Sequence, residues 1–486
     1  MITFHIEQFG CRATQADGAA IERQLREQGC SVATDASTAQ FVVINTCTVT
    51  AAADTQARDA IRKIHATNPQ ARIIVTGCYA QRAPEDLSAL PGVSYVVGNS
   101  HKPQIPSLIT AIRDTTNHDT TSELFPLSNL TKPSSRPEAP AGSGSEWRDR
   151  GNQTHHLAPI LTGNIFDLSD VLVAPVLGGE GNHTRPTLKI QDGCNSRCSF
   201  CVIPFVRGKS RSLPVATVLT EIQRLANSGY KEIVLSGINL GTYGRDISPR
   251  IGFLDLLRLI LDETPVERLR ISSIEPLDVT RDLVALFAST ARLAPHFHMP
   301  LQSASNRILA AMHRWYRAEH YARRVEFIRE LLPNAAIGAD IITGFPGETE
   351  ADHSATLRFV EGFPFTYLHI FSYSQRPGTK AAALPDQLSG TVIKRRAREL
   401  RALAETKSSR FRISQIGREL RVLTLRRDPN SPSEITPAIS DNYLTVHIPA
   451  SFSPNQFLSA IITGFDGKNL LASPLQPACI GAEGAG

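Results

Sequence analysis

Short apolar runs separated by helix-length amphipathic segments set the rhythm of the first hundred residues. The runs ITFHI, FVVIN and RIIVTG read as strands, and DGAAIERQLREQG and AAADTQARDAIRKIHATNP between them read as helices. This alternation predicts a small α/β domain with a mostly parallel sheet over residues 1–112. The polar, Pro-rich and Ser-rich stretch that follows reads as an insertion or linker over 113–182, ending in LAPILTGNIFDLSDVLVAPVL, which is apolar but has no usable period. From there TLKIQ, EIVLS, LRISS, HFHMP, AAIGADIIT and LHIFSY alternate with helix-length segments, predicting a partial (β/α)6 barrel over 183–412 with its chemistry at the C-terminal strand ends. The strand-like ELRVLTL, YLTVHIP and FLSAIITGF predict a small all-β barrel over 413–475, followed by a tail at 476–486.

A chain of 486 residues with 41% apolar side chains exceeds what one domain holds, in keeping with these divisions. No apolar run approaches membrane-spanning length and the first residues carry no secretory pattern, so a cytoplasmic protein without a membrane partner is expected. The net charge of +5 agrees with a polyanionic partner. Eight cysteines in such a chain point to metal binding or catalysis, because a reducing compartment keeps thiols free.

Cys194-Asn-Ser-Arg-Cys198-Ser-Phe-Cys201 follows the first strand of the expected barrel directly, on the loop where barrel enzymes place their sites. A four-iron cluster takes four cysteines as a rule, so three thiolates leave one iron open to a small molecule. A structural zinc site is the alternative, but zinc is usually closed by a nearby fourth Cys or His, and VIPFVRGKSRSLP supplies none. Cys11, Cys47 and Cys78 end the stretches QFGC, INTC and TGC, each at or just beyond a predicted strand. If those strands are parallel neighbours, the three sulfurs meet at one sheet edge and form a second three-thiolate site; ordinary buried cysteines are the alternative. Cys30 and Cys479 show no such relation and are expected to be inert.

The three-cysteine motif, with the aromatic Phe200 before its last cysteine, resembles the radical S-adenosylmethionine (SAM) superfamily. The resemblance implies that Cys194, Cys198 and Cys201 ligate a [4Fe-4S] cluster whose open iron chelates SAM and whose electron cleaves it to a 5′-deoxyadenosyl radical. With the three-cysteine domain before it and a small barrel like an RNA-binding TRAM domain after it, the chain resembles the methylthiotransferase family. INTCTVT, GCNSRCSFCVIPFVRGKSRS, SGINLGTYGRD, SSIEPLD, MPLQSAS and DIITGFPGET are similar to threonylcarbamoyladenosine tRNA methylthiotransferases. Sister groups modify isopentenyladenosine in tRNA or an aspartate of a ribosomal protein, and a non-catalytic metal-stabilised RNA-binding protein is a further alternative. Thr14, where the family often has Asn, and His298 depart from the pattern.

The resemblance implies a second [4Fe-4S] cluster on Cys11, Cys47 and Cys78, catalytic use of all six cysteines, a tRNA substrate and an electron donor such as a flavodoxin or ferredoxin. Expected cofactor contacts are Phe200; Gly237, for close backbone approach; Gln302 and Ser303, as donors and acceptors at a strand end; and Arg314, whose guanidinium matches a carboxylate. Glu275 and Asp340 are candidate carboxylates in the barrel mouth, and GFPGET, with Gly344 and Gly347, is expected as a tight barrel turn. Candidate RNA contacts are Arg58, Arg62 and Lys63, the basic helix at 394–412, and Arg418, Arg421, Arg426 and Arg427.

Overall fold

The computed structural model describes residues 2–114, 157–172, 174–176, 184–427 and 434–475. Most of the expected insertion, and the tail with Cys479, lie outside these described residues. Two compact units emerge: Met1–Leu168 together with Phe205–Gly208, and Ser169–Pro204 together with Lys209–Gly486.

In the first unit the strands β1 (Thr3–Gln8), β2 (Ser31–Val32), β3 (Phe41–Thr46), β4 (Arg72–Gly77), β5 (Val93–Gly98) and β6 (Ile160–Leu161) form one parallel sheet in the order β2-β1-β3-β4-β5-β6. Helices α1 (Arg12–Glu27) and α5 (Ile105–Asp114) cover one face, where Ile21, Leu25, Leu108 and Ile109 pack on Phe4, Val43, Ile74 and Val97. Helix α2 (Ala51–Thr67) and the short α3 (Cys78–Arg82) and α4 (Pro84–Ser88) cover the other, through Ala57, Ile61, Tyr79 and Leu87. Burial on both faces is why these strands read as continuous apolar runs. The apolar stretch without a period supplies β6, a two-residue edge strand too short to show one.

The second unit carries the expected six parallel strands: β8 (Thr187–Asp192), β10 (Glu232–Gly237), β11 (Arg268–Ile271), β12 (His296–His298), β13 (Ala336–Thr343) and β14 (Tyr367–Ser372), with the two-residue β7 (Pro175–Val176) and β9 (Arg211–Ser212) antiparallel to β8. A parallel bridge between Ser273 and His298 joins the two sheet segments. The short α6 (Ile203–Arg207) follows the cysteine motif, and α7 (Val215–Asn227), α8 (Phe253–Glu263), α9 (Arg281–Ser289), α10 (Asn306–Ala311), α11 (Ala318–Leu331), α12 (Glu350–Gly362) and α13 (Gly390–Ile413) come between and after the strands. Leu188, Ile233, Leu235, Leu269, Ile271, Phe297, Ile337, Ala339 and Ile341 form the helix-covered core with residues such as Ile222, Leu257, Val284 and Val325. Because side chains alternate along a strand, the residues between them face the concave interior.

Strands β15 (Glu419–Thr424), β16 (Thr436–Ser440), β17 (Thr445–Ile448), β18 (Phe457–Phe465) and β19 (Leu470–Pro474) close into the expected small barrel. The sequence pattern shows only β15, β17 and β18; β16 and β19 are five-residue strands, each containing a proline, without a long β-branched or aromatic run.

A buried charge network joins the small barrel to the partial barrel. Glu232 is fully buried, with Arg270 at 2.9 Å, Arg185 at 3.1 Å and Arg268 in direct contact. Arg268 and Arg270 also donate to the carbonyls of Arg421, Ser440 and Asp441 in the small barrel. Tyr443, held at φ 67°, stacks on His296 with centroids 4.4 Å apart, and Arg270 lies over its ring. Burial alone would raise the Glu232 pKa, but the guanidiniums of Arg270, Arg268 and Arg185 outweigh it and hold the carboxyl well below its usual range. Burial lowers Arg268 to about 10, so it stays charged at neutral pH while bearing part of the desolvation cost.

Glu232→Gln leaves buried guanidiniums without their carboxylate and is expected to cost about 3–5 kcal/mol in denaturant unfolding. The group's folded pKa lies below its unfolded one, so its contribution is complete above the ordinary value of 4.5 and is lost as pH falls toward the folded value. The wild-type acid limb should therefore flatten in the variant.

Candidate active site

In the first unit the three cysteines each follow a strand of the parallel sheet. Cys11 caps α1 just beyond β1, Cys47 follows β3, and Cys78 opens α3 directly after β4. Neighbouring parallel strands end at the same sheet edge, so these loops meet there. The Cys47 thiol is pushed up to about 12, by burial first and then by the Cys78 and Cys11 thiols, so the three groups act on one another. Arg82 on α3 donates to Thr48 Oγ1 at 2.7 Å and pairs with Asp54 at 2.9 Å, tying the loop after Cys47 to the helix that Cys78 begins.

Beneath these thiols lies a polar layer that the sequence pattern does not reveal. Asp17 is buried on α1 between Lys102, at 2.8 Å, and Arg207, at 3.1 Å. Burial lowers the Lys102 pKa against the pull of Asp17. Asn45 donates to the Thr14 carbonyl at 2.7 Å, and Asn99 approaches the Cys78 sulfur at 3.6 Å. An acid amid Ala13, Ala16, Ala20 and Ile21 on the apolar face of α1 was the available signal for Asp17; its basic partners, distant in sequence, carried none.

In the second unit Cys194, Cys198 and Cys201 lie on the loop after β8. Gln191 at the end of that strand donates to the carbonyls of Asp192 and Gly193 and accepts from the Asn239 amide at 2.8 Å, bracing the loop's start. Ser199 is anchored between the carbonyls of Ala311 and Met312, and its own carbonyl accepts from the Ala381 amide. Phe200 packs against a cluster that includes Ile308, Met312, Phe345 and Ala381. Burial pushes the Cys201 thiol up to about 12, with Cys198 adding to the shift. Burial also raises Cys198, while Arg314, donating to its sulfur at 3.4 Å, opposes the rise.

Arg314 is also bonded to Glu275, and its guanidinium stacks on Tyr316 with 4.9 Å to the ring centroid. Gly237 has Gln191 and Leu240 against it: a Cβ there would stand 3.0 Å from Gln191 Oε1 and 2.9 Å from Leu240. Ser303 accepts from the Ser305 amide at 3.2 Å and contacts Thr356, bonds that shape the turn. Gln302 sits at φ 62°, and its buried Oε1 has no hydrogen-bond partner. The same holds for Asn239 Oδ1, Ser272 Oγ, Thr343 Oγ1 and Tyr373 Oη, at or just after the C-terminal ends of β10, β11, β13 and β14. The structure therefore leaves a ring of unpartnered polar atoms at the C-terminal strand ends, of which sequence reasoning had picked out only Gln302. Asp340 is not at a strand end but within β13, 2.9 Å from His298 and 3.1 Å from His369. Burial would raise its pKa, but the two imidazoles hold it well below the usual range.

Several candidate RNA contacts already have intramolecular partners. Arg396 is buried on Glu348, Arg395 pairs with Glu350 and Glu399, Lys407 binds the Glu361 and Phe363 carbonyls, and Arg58 bonds Tyr79. Arg421 lies 3.8 Å from the Phe457 ring centroid. Arg62, Lys63, Lys394, Arg398, Arg410, Arg418 and Arg426 are exposed.

Residues 3–98 match the model of the uncharacterized protein family UPF0004, and residues 188–360 that of the radical SAM superfamily. The threonylcarbamoyladenosine tRNA methylthiotransferase of Aquifex aeolicus is 36% identical, over 87% of this chain and 92% of its own length. The tRNA-2-methylthio-N(6)-dimethylallyladenosine synthase of Thermobifida fusca is 33% identical, over 87% of this chain and 77% of its own. Among solved structures, the radical SAM methyltransferase TsrM of Kitasatospora setae aligns with a TM-score of 0.52 at 17% identity, over 78% of this chain and 75% of that one, a likeness of fold. Shared sequence across nearly the full length of such relatives is more than a common scaffold requires, and this chain belongs to the tRNA methylthiotransferases of the radical SAM superfamily.

Proposed function

We propose that the protein adds a methylthio group to C2 of N6-threonylcarbamoyladenosine beside the anticodon, with one [4Fe-4S] cluster held by Cys11, Cys47 and Cys78 and a second, with SAM, held by Cys194, Cys198 and Cys201. The observation that carries this reading is the pair of three-thiol sets, each on loops that follow parallel strands. The substrate named for the Aquifex aeolicus relative supports the choice of nucleoside, and relatives named as tRNA enzymes disfavour a ribosomal-protein aspartate or a non-catalytic role. No helix among the described residues is long and apolar enough to cross a membrane. The proposed reaction takes place in the cytoplasm, with a flavodoxin-like or ferredoxin-like electron donor.

The residues fit these groups. Within each set the thiols lie near enough to act on one of their number, Cys78 and Cys11 raising Cys47 and Cys198 and Cys194 raising Cys201, as ligands gathered for one group would. Two glycines keep the first site open: Gly10 at φ 106°, where a Cβ would stand 2.4 Å from that of Cys47, and Gly77 at φ 101°, where it would meet the Thr46 carbonyl at 2.3 Å. The unpartnered atoms of Asn239, Ser272 and Tyr373 offer bonds to a polar cofactor such as SAM.

When bound, the clusters and SAM supply the radical chemistry that an unactivated C–H bond needs. The chain's own residues bind and position. Arg314, fixed by Glu275 and Tyr316, places a positive charge beside Cys198 and steadies its thiolate. Phe200 anchors the loop in the apolar cluster. Thiols raised by burial must release protons on ligating iron, so cluster assembly weakens as pH falls.

Mass spectrometry of tRNA nucleosides from cells with and without the gene should show loss of the methylthio form of threonylcarbamoyladenosine alone; loss of the isopentenyladenosine product instead would refute the substrate. Gly10→Ala combines a disfavoured φ with a clash and should cost about 1–3 kcal/mol locally. Anaerobically reconstituted variant should fall from about eight irons to about four, still form 5′-deoxyadenosine, and lose methylthio product. Retention of all the iron would remove the first cluster from these cysteines.

A further inference from the structure

The interior wall of the partial barrel carries polar groups that the two cysteine sites do not use. Phe297, Ile337, Ala339, Ile341, Leu368 and Ile370 pack in the helix-covered core or against it, so His298, Asp340 and His369 point into the barrel. Asp340 and His369 are direct partners across β13 and β14. Their position is held from below: the Tyr367 hydroxyl bonds His298 Nδ1 at 3.0 Å and His296 Nε2 at 2.7 Å. Gly338 makes room for the Tyr367 ring, since a Cβ there would lie 2.0 Å from it. Exposure rises along the cluster, from 9% for the His298 side chain through 24% for Asp340 to 54% for His369, so a fixed base opens outward to solvent.

Polar capacity on this wall is left over. His298 Nε2 pairs with Asp340 at 2.9 Å, while His369, which meets Asp340 through Nδ1, is 54% exposed on its outer side. Gln302 Oε1 and Thr343 Oγ1 are unpartnered on the loop after β12 and at the end of β13. The Asp340 carboxylate is flanked by two imidazoles, so the surface offered to a ligand is ring nitrogen more than bare negative charge.

Building on the function proposed above, we infer that His298, Asp340 and His369 form the recognition site for the polar N6 substituent of the substrate. The threonylcarbamoyl group carries urea, hydroxyl and carboxylate, which can bond to these imidazoles and to the unpartnered atoms beside them. A dimethylallyl tail offers no donor or acceptor and would leave the wall buried and unsatisfied. Such a site rejects the apolar analogue more strongly than a greasy pocket rejects a polar one. The cluster thus separates the two nucleosides on which relatives of this chain are named to act.

The test uses the full-length holoenzyme and two anticodon stem-loops that differ only in carrying N6-threonylcarbamoyladenosine or N6-dimethylallyladenosine. Wild type should prefer the first by about 10²-fold or more in kcat/KM. The wild-type arm tests the proposed function, which fails if the first RNA is not methylthiolated. His369→Leu, at an exposed position, and Asp340→Asn should shrink the preference at least tenfold through a raised KM on the first RNA. Cluster iron and 5′-deoxyadenosine formed without RNA should stay unchanged. An unchanged preference in both variants overturns the inference even where wild type behaves as proposed. So does one equivalent of Mn(II) or Zn(II) bound by the holoenzyme and lost in both variants, because the trio would then be a metal centre.

Discussion

Parallel pairing is the constraint on which the chemistry of this molecule rests. When strands run side by side in one direction, every loop that leaves a strand emerges at the same edge, and residues far apart in sequence become neighbours without touching in the chain. Cys11, Cys47 and Cys78 leave three adjacent strands in this way, while Cys194, Cys198 and Cys201 crowd one loop at the equivalent end of another sheet. The same rule puts Asn239, Ser272, Gln302 and Thr343 at corresponding ends of four strands.

Parallel sheets hold that edge in place only if both faces are covered, and the cost appears as buried polarity. Helices seal both faces of the first sheet, leaving Asp17, Lys102 and Arg207 to neutralise one another beneath the thiols. In the second unit the concave interior cannot be filled by aliphatic side chains alone. Glu232 and its arginines occupy one part and reach the carbonyls of the small barrel, tying the two barrels together through charge-assisted bonds. Each network is stable only as a whole, since removing one member leaves an uncompensated buried charge.

Burial also sets the state of the cysteines. Cys47 and Cys201 are pushed up to about 12 chiefly by desolvation, so these two side chains hold their protons at neutral pH. Arg314 beside Cys198 is the clearest local counterweight. Much of the positive charge on α13 serves the fold itself. Arg396, Arg395 and Lys407 bind carboxylates and carbonyls of the partial barrel, so the helix's basic composition overstates the charge available to a polyanion.

The sequence by itself determined the strand and helix alternation, the six parallel strands of the partial barrel, three strands of the small barrel and both cysteine sets, because these are written in local apolar period and in thiol spacing. Gly10 and Gly77 stand before their cysteines in the sequence, but the reason, a backbone pressed against Cys47 and Thr46, was not legible there. Only the tertiary structure decided the rest. Asp17 with Lys102 and Arg207, Glu232 with its arginines, and His298 with Asp340 and His369 join residues from separate elements. A side chain's partner across a sheet or between barrels leaves no periodic mark in the chain, and burial is a property of the fold that supplies the other wall.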